Sequence, residues 1–81
     1  MKHPNLLSVN DYKTINHALS TATPLFLTRR LLTYSILVEV TKTGKDEHIW
    51  HQPSVIRVTQ TFPNMTTFQH FCSVDEMRSH I

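Results

Sequence analysis

The fold is decided by the stretch Leu32-Thr33-Tyr34-Ser35-Ile36-Leu37-Val38-Glu39-Val40. Every second residue in it is apolar, and the residues between them are mostly polar. A period of two is typical of a β-strand with one face on a core and the other face in water. We therefore predict a strand over Arg30–Lys42, with its even-numbered side chains buried.

A hairpin turn follows this strand. Gly44 is the chain's only glycine, and a glycine at the first central position suits a two-residue type II′ turn. Such a turn places Lys42 opposite Glu47 and Val40 opposite Ile49. An opposite-charge pair beside the turn and an aliphatic pair behind it both favour this register.

The second strand contains Pro53. Its apolar residues are odd-numbered before the proline and even-numbered after it. A β-bulge within residues 52–54 reconciles the two halves, because proline is tolerated at bulges and edges. With the bulge, the register predicts that Tyr34 lies opposite Ile56.

Helix signals lie near both ends of the chain. Ser8 is a candidate N-cap with Asp11 three residues later, and an apolar stripe predicts a helix over Val9–Leu19. Ser73, followed three residues later by a glutamate, forms a capping-box sequence that predicts a helix over Val74–Ile81.

Residues 65–72 fit either a strand or a helix. We favour a strand after a turn at Pro63-Asn64, because a helix start as well marked as the one at Ser73 indicates that another element ends there. The prediction is one small α+β domain over residues 1–81. It consists of a three-stranded antiparallel meander with one helix at each end, in the order α-β-β-β-α.

Composition narrows the class of protein. The chain of 81 residues contains one cysteine, so it has no internal disulfide. Its beginning lacks the apolar stretch of a signal peptide. No run is long enough to span a membrane. We expect a soluble, cytoplasmic protein. The net charge of +2 and pI near 9.0 permit contact with nucleic acid without requiring it.

The sequence lacks the motifs of common enzymes. One glycine cannot build a phosphate-binding loop, a dinucleotide fingerprint or a nucleophile elbow. The only acidic residues that lie close together in the sequence are immediate neighbours, and the side chains of immediate neighbours point in different directions. They therefore do not form the converging pair of carboxylates that a hydrolase uses. We therefore expect no enzymatic activity, no cofactor and no small-molecule substrate.

Histidine is unusually frequent, with six residues, and it raises the question of a metal site. His48, His51, His70 and Cys72 are donors of the kinds that zinc prefers. In a regular strand, however, His48 and His51 lie on opposite faces, and structural zinc sites usually contain more cysteine. We expect these side chains to bind no metal.

Trp50 is the leading candidate for a contact residue. In the predicted register it faces Glu39 on the wet side of the sheet, and Leu31 and Leu37 share that side. An exposed tryptophan beside leucines is typical of a contact surface, covered either by the first helix or by a partner. The sequence thus favours a small non-enzymatic regulatory or interaction module that acts through protein–protein contacts, either with another protein or with a second copy.

The alternative is a nucleic-acid-binding regulator. Its candidate residues are basic: Arg29, Arg30, Lys42, Lys45 and Arg57. We expect Arg57 to lie near Arg29 on the open side of the sheet, where a basic patch would suit phosphates.

Overall fold

The computed structural model describes residues 6–44 and 52–81. Two helices pack on one face of a four-stranded antiparallel sheet with strand order β1-β2-β3-β4. The elements are α1 Val9–Thr21, β1 Leu25–Leu31, β2 Tyr34–Lys42, β3 Ser54–Thr61, β4 Thr66–Phe71 and α2 Val74–His80. The predicted α+β class with a helix at each end is confirmed, whereas the predicted number of strands is wrong.

The first helix begins where its capping sequence places it. The Ser8 hydroxyl accepts a hydrogen bond from the Asp11 backbone N–H at 3.1 Å, and the Asp11 carboxylate accepts one from the Ser8 backbone N–H at 3.0 Å. This reciprocal pair satisfies two N–H groups that the helix leaves without an intrahelical partner. The helix ends at Ala22, which adopts the left-handed conformation.

A two-residue turn at Leu32–Thr33 divides the predicted first strand into two. Leu31 pairs with Tyr34 across this turn, and Leu32 has φ 54°. A left-handed conformation costs a leucine roughly 1 kcal/mol or more. The turn contains no glycine, asparagine or proline, and the apolar alternation continues through it, so no sequence signal marks a break at this point.

The predicted register between β2 and β3 is also wrong. Val40 pairs with Ile56, and Val38 pairs with Val58. The predicted partner of Ile56 is Tyr34, which lies six residues before the observed partner, Val40. The observed register places aliphatic side chains opposite each other in the core. Lys42 and Val40, predicted to face Glu47 and Ile49, pair instead with Ser54 and Ile56, so the two-residue turn predicted at Gly44 is wrong as well. Glu47 and Ile49 themselves lie outside the described residues.

The last part of the chain follows its sequence signals. The turn at Pro63-Asn64 is closed by a 2.8 Å hydrogen bond from the Phe62 N–H to the Met65 carbonyl. Residues 66–71 form a strand, which confirms the strand preference. The Ser73 hydroxyl then accepts a hydrogen bond from the Glu76 N–H at 3.1 Å and caps α2.

The core lies between the helices and one face of the sheet. Its fully buried side chains come from both layers: Ile15, Val38, Val40, Ile56, Val58 and Met77. The even-numbered positions of β2 and β3 therefore face the helices, as their alternation predicts.

Candidate interaction surface

Among residues 6–44 and 52–81, no helix packs on the opposite face of the sheet, which we call the open face. Strand pairing aligns the residues whose side chains point to this side. They are Phe26, Thr28 and Arg30 of β1; Ser35, Leu37, Glu39 and Thr41 of β2; Val55, Arg57, Thr59 and Thr61 of β3; and Thr66, Phe68 and His70 of β4. Apart from Val55, which is fully buried, these side chains are exposed or half-buried.

Two phenylalanines stand out on the open face. Phe26 is 69% exposed and Phe68 is 74% exposed, one on each edge strand. Half-buried Leu37 lies between them on β2, diagonal to Phe26 and two strands from Phe68. Large apolar side chains left in water on a protein this small are typical of a contact surface.

Sequence reasoning missed both phenylalanines. Parity was the available signal. Phe68 is even-numbered and the buried Phe71 of the same strand is odd-numbered, so the two side chains lie on opposite faces of the sheet. For Phe26 the signal became readable only once Leu25–Leu31 was recognised as a strand of its own.

A polar network crosses the same face. The Arg57 Nε donates to Thr41 Oγ1 at 2.9 Å, and its Nη1 lies 2.9 Å from His70 Nε2. A guanidinium can only donate, so His70 Nε2 is the acceptor in this contact. These contacts link three strands and fix the orientation of the Arg57 side chain.

Arg29 does not belong to the open face. Its side chain lies on the helix side, where Nη2 is 2.8 Å from Asp11 Oδ1 and Nε is 3.2 Å from Asp11 Oδ2. The expected placement of Arg29 near Arg57 is therefore wrong. Of the predicted basic residues, Arg30 and Arg57 lie on the open face, whereas exposed Lys42 has the parity of the helix side and Lys45 lies outside the described residues.

The position of Asp11 perturbs its titration. The hydrogen bond from the Ser8 backbone, and then the bond and charge of Arg29, hold the pKa of Asp11 below its ordinary value, although burial acts in the opposite direction. A carboxylate that caps a helix and pairs with a strand arginine joins α1 to β1. Its role is structural.

The predicted contact residues do not share one face. Leu37 lies on the open face, but Leu31 lies on the helix side and is 44% exposed. The prediction treated both as part of one strand, and the intervening turn at Leu32–Thr33 breaks that parity. Trp50, the third member of the set, lies outside the described residues.

The candidates for metal binding and catalysis gain no support from geometry. Within residues 6–44 and 52–81, no cluster of three or more histidine, cysteine or acidic side chains is placed to hold a metal. His48 and His51 lie outside these ranges, and His70 contacts Arg57. Burial, followed by the nearby charge of Glu76, raises the pKa of the Cys72 thiol, which disfavours the nucleophilic thiolate.

A groove of about 390 Å³ lies between the two helices. The Arg78 guanidinium lies 4.8 Å from the centre of the Tyr12 ring at this groove, with Lys13 and Asp75 on its walls. The groove thus combines two basic groups and one carboxylate with an aromatic ring.

No protein-family model, curated protein or solved structure matches this chain. In the part of the chain that the structure describes, neither helix has the length and hydropathy needed to cross a bilayer.

Proposed function

We propose that this protein is a non-enzymatic interaction module that acts through protein–protein contacts, and that its partner is a second copy of the chain. The observation that carries the proposal is the open face, with Phe26 and Phe68 exposed on a sheet whose other face carries the helices and the core. A domain of this size has a small core, and association adds apolar burial that the monomer lacks.

The charges of the open face suit self-association. Arg30 and Arg57 share the face with Glu39, so it carries both signs. A symmetric dimer brings the same surface patch of each copy together, which requires a self-complementary patch. A surface with mixed charge and exposed aromatic rings meets that requirement better than a surface of one sign.

Single-stranded nucleic acid is the competing partner. Aromatic side chains on a sheet next to arginines are typical of stacking platforms for bases. Two of the arginines are already engaged, however, because Arg57 bonds Thr41 and His70 while Arg29 pairs with Asp11. The field that drives phosphate binding is weakened by the Asp11 carboxylate paired with Arg29 and by Glu39, which lies opposite Arg57 on the neighbouring strand.

Sedimentation equilibrium from micromolar to millimolar concentration tests the proposal. We expect a reversible monomer–dimer equilibrium, weakened at least ~10-fold by Phe68→Ser because buried aromatic anchors dominate interfaces. Val9→Ser is the matched control, since Val9 is 69% exposed on α1. A wild-type chain that stays monomeric throughout contradicts the proposal. Binding of oligothymidine that weakens steeply with salt would favour nucleic acid instead.

A further inference from the structure

The two edge strands of the sheet differ in how they are protected. β1 follows Pro24 and contains Arg29 and Arg30. The Arg29 Nη1 also donates to the Thr28 carbonyl at 2.9 Å. In the antiparallel ladder the backbone groups of Thr28 point away from β2, so this bond occupies an outward acceptor. Charge, proline and a side-chain cap are devices that prevent further strand pairing.

β4 has none of these devices. The segment Thr66–Phe71 contains no proline and no lysine, arginine, aspartate or glutamate. Short, uncharged segments rich in threonine and phenylalanine pair readily with other strands. This is therefore the edge of the sheet at which pairing with another strand meets no charge or proline.

The direction of the backbone groups follows from the β3–β4 turn. The bond from Phe62 to Met65 marks a hydrogen-bonded pair, and such pairs alternate along the ladder. Thr66 and Phe68 therefore direct their N–H and C=O groups away from β3. Among the residues that the structure describes, none bonds these outward groups.

We infer that two copies of this chain pair antiparallel through β4, with Phe68 of one copy opposite Phe68 of the other. The inference rests on the proposed function and places the interface at the β4 edge of the open face, so that Phe68 enters the interface while Phe26 on β1 stays outside it. Two four-stranded sheets become one eight-stranded sheet, with both open faces on the same side. The ring of Phe68, now largely exposed, packs beside its symmetry mate.

The alternation restricts the register to pairings that differ by an even number of residues, and the pairing centred on Phe68 is the one that brings the two Phe68 side chains together. Centring the pair on Phe68 overlaps residues 66–70 of both copies and places outward-directed residues opposite each other, as a hydrogen-bonded pair requires. A shift of one residue would place inward-directed groups opposite outward ones.

Symmetry indicates that the strand pairing with β4 is β4 of a second copy. The β4 segment carries no carboxylate or ammonium group, so its own copy meets no like-charge repulsion there. Pairing β4 with β4 is isologous and closes after two chains. The free edges of the resulting sheet are then the two β1 strands, which carry the protective features. A dimer rather than a fibre is the expected product.

Proline substitution separates the two edges. Thr66→Pro removes an outward N–H and no ladder bond to β3, and proline is tolerated at such edge positions. We expect it to weaken dimerisation at least ~10-fold, as loss of an interface anchor does. Thr28→Pro is the matched control on the β1 edge and should leave the dimer unchanged. Circular dichroism and thermal unfolding of each variant establish that it folds.

Cross-linking tests the geometry directly. In a Cys72→Ser background, at a protein concentration high enough to offset the loss of the Phe68 ring, Phe68→Cys places two thiols on residues whose Cα atoms are about 5.5 Å apart in the paired strands, within disulfide range. Stacked faces would hold the two sheets about 10 Å apart, which is too far. We expect mild oxidation to yield a covalent dimer from this variant and none from Phe26→Cys in the same background.

The outcomes distinguish the inference from the function on which it rests. If the wild-type chain dimerises, Thr66→Pro has no effect and Phe68→Cys does not cross-link, the β4 interface is wrong and self-association stands through another surface. If the wild-type chain is monomeric at every concentration, both the interface and the proposed function are wrong. Loss of the dimer in Thr66→Pro alone, together with the Phe68→Cys cross-link, supports the inference.

Discussion

The two faces of the sheet are built from the same strands and differ in what covers them. On β2, Val38 is fully buried under the helices, whereas its neighbour Leu37 is half-buried on the open face. On β3, the same alternation separates Ile56 from Arg57. Identical backbone geometry thus produces a core on one side and a contact surface on the other. A buried side chain contributes to stability, and an exposed one is available for association.

The largest expected effect is a difference in stability between truncating an aliphatic side chain on the core face and truncating one on the open face. Ile56→Ala should lower the free energy of unfolding by about 2–5 kcal/mol, because it removes buried methyl groups and leaves a cavity. Leu37→Ala should cost less than about 1 kcal/mol, since a residue on the open face has few buried contacts to lose. Urea denaturation of dilute protein measures both. Equal losses would mean that the open face is covered within the monomer.

The next effect concerns the attachment of the helix layer to the sheet. Asp11→Ala should cost about 1–2 kcal/mol, the sum of a lost helix cap and an ion pair with the partly exposed Arg29. Asp75→Ala is the control, because this exposed acid lies in the first turn of α2. Its loss should stay within about 0.5 kcal/mol. Urea denaturation measures the loss of unfolding free energy in both variants. Similar losses would show that Asp11 does not attach the helix layer to the sheet.

The same carboxylate predicts a dependence on pH. Because the folded-state pKa of Asp11 is depressed, its stabilisation is fully present above the ordinary aspartate pKa of about 4 and is lost as pH falls through the lower folded-state value. The stability difference between the wild type and Asp11→Ala should therefore shrink on acidification below about pH 4. A difference that stays constant down to about pH 2 would show that the charge of Asp11 contributes nothing.

The smallest effect concerns a residue that lies on neither face. Leu32 is 94% exposed in the β1–β2 turn and has φ 54°. Leu32→Asn should stabilise the fold by about 0.5–1 kcal/mol, because asparagine tolerates the left-handed conformation and no buried contact is lost. Thr33→Asn, at the adjacent turn position, should give no such gain. A destabilised Leu32→Asn variant would indicate that this leucine is packed in solution.

The candidate surface was only partly readable from the sequence. Leu37 and Arg57 lie on the side of the sheet away from the helices, as their parity predicts. Phe26 was missed because β1 was not recognised as a full strand, and Arg29 was misplaced because its partner Asp11 is distant in sequence. Contacts between distant parts of a chain leave no periodic signal.

The sequence by itself determined the local elements. Ser8 and Ser73 fix the starts of the helices through bonds to residues three positions away, and alternation identifies which side chains of β2 and β3 enter the core. These signals are local, so they are readable without knowledge of the fold.

Only the tertiary structure decided the β2–β3 register and the division of the first strand. The observed partner of Ile56 is Val40 rather than Tyr34, a displacement of six residues. An even displacement leaves every side chain on its own face, so alternation is equally satisfied by both registers. The choice depends on which aliphatic pairs fill the space beneath the helices, and the turn at Leu32 follows from the pairing of the strands on either side of it.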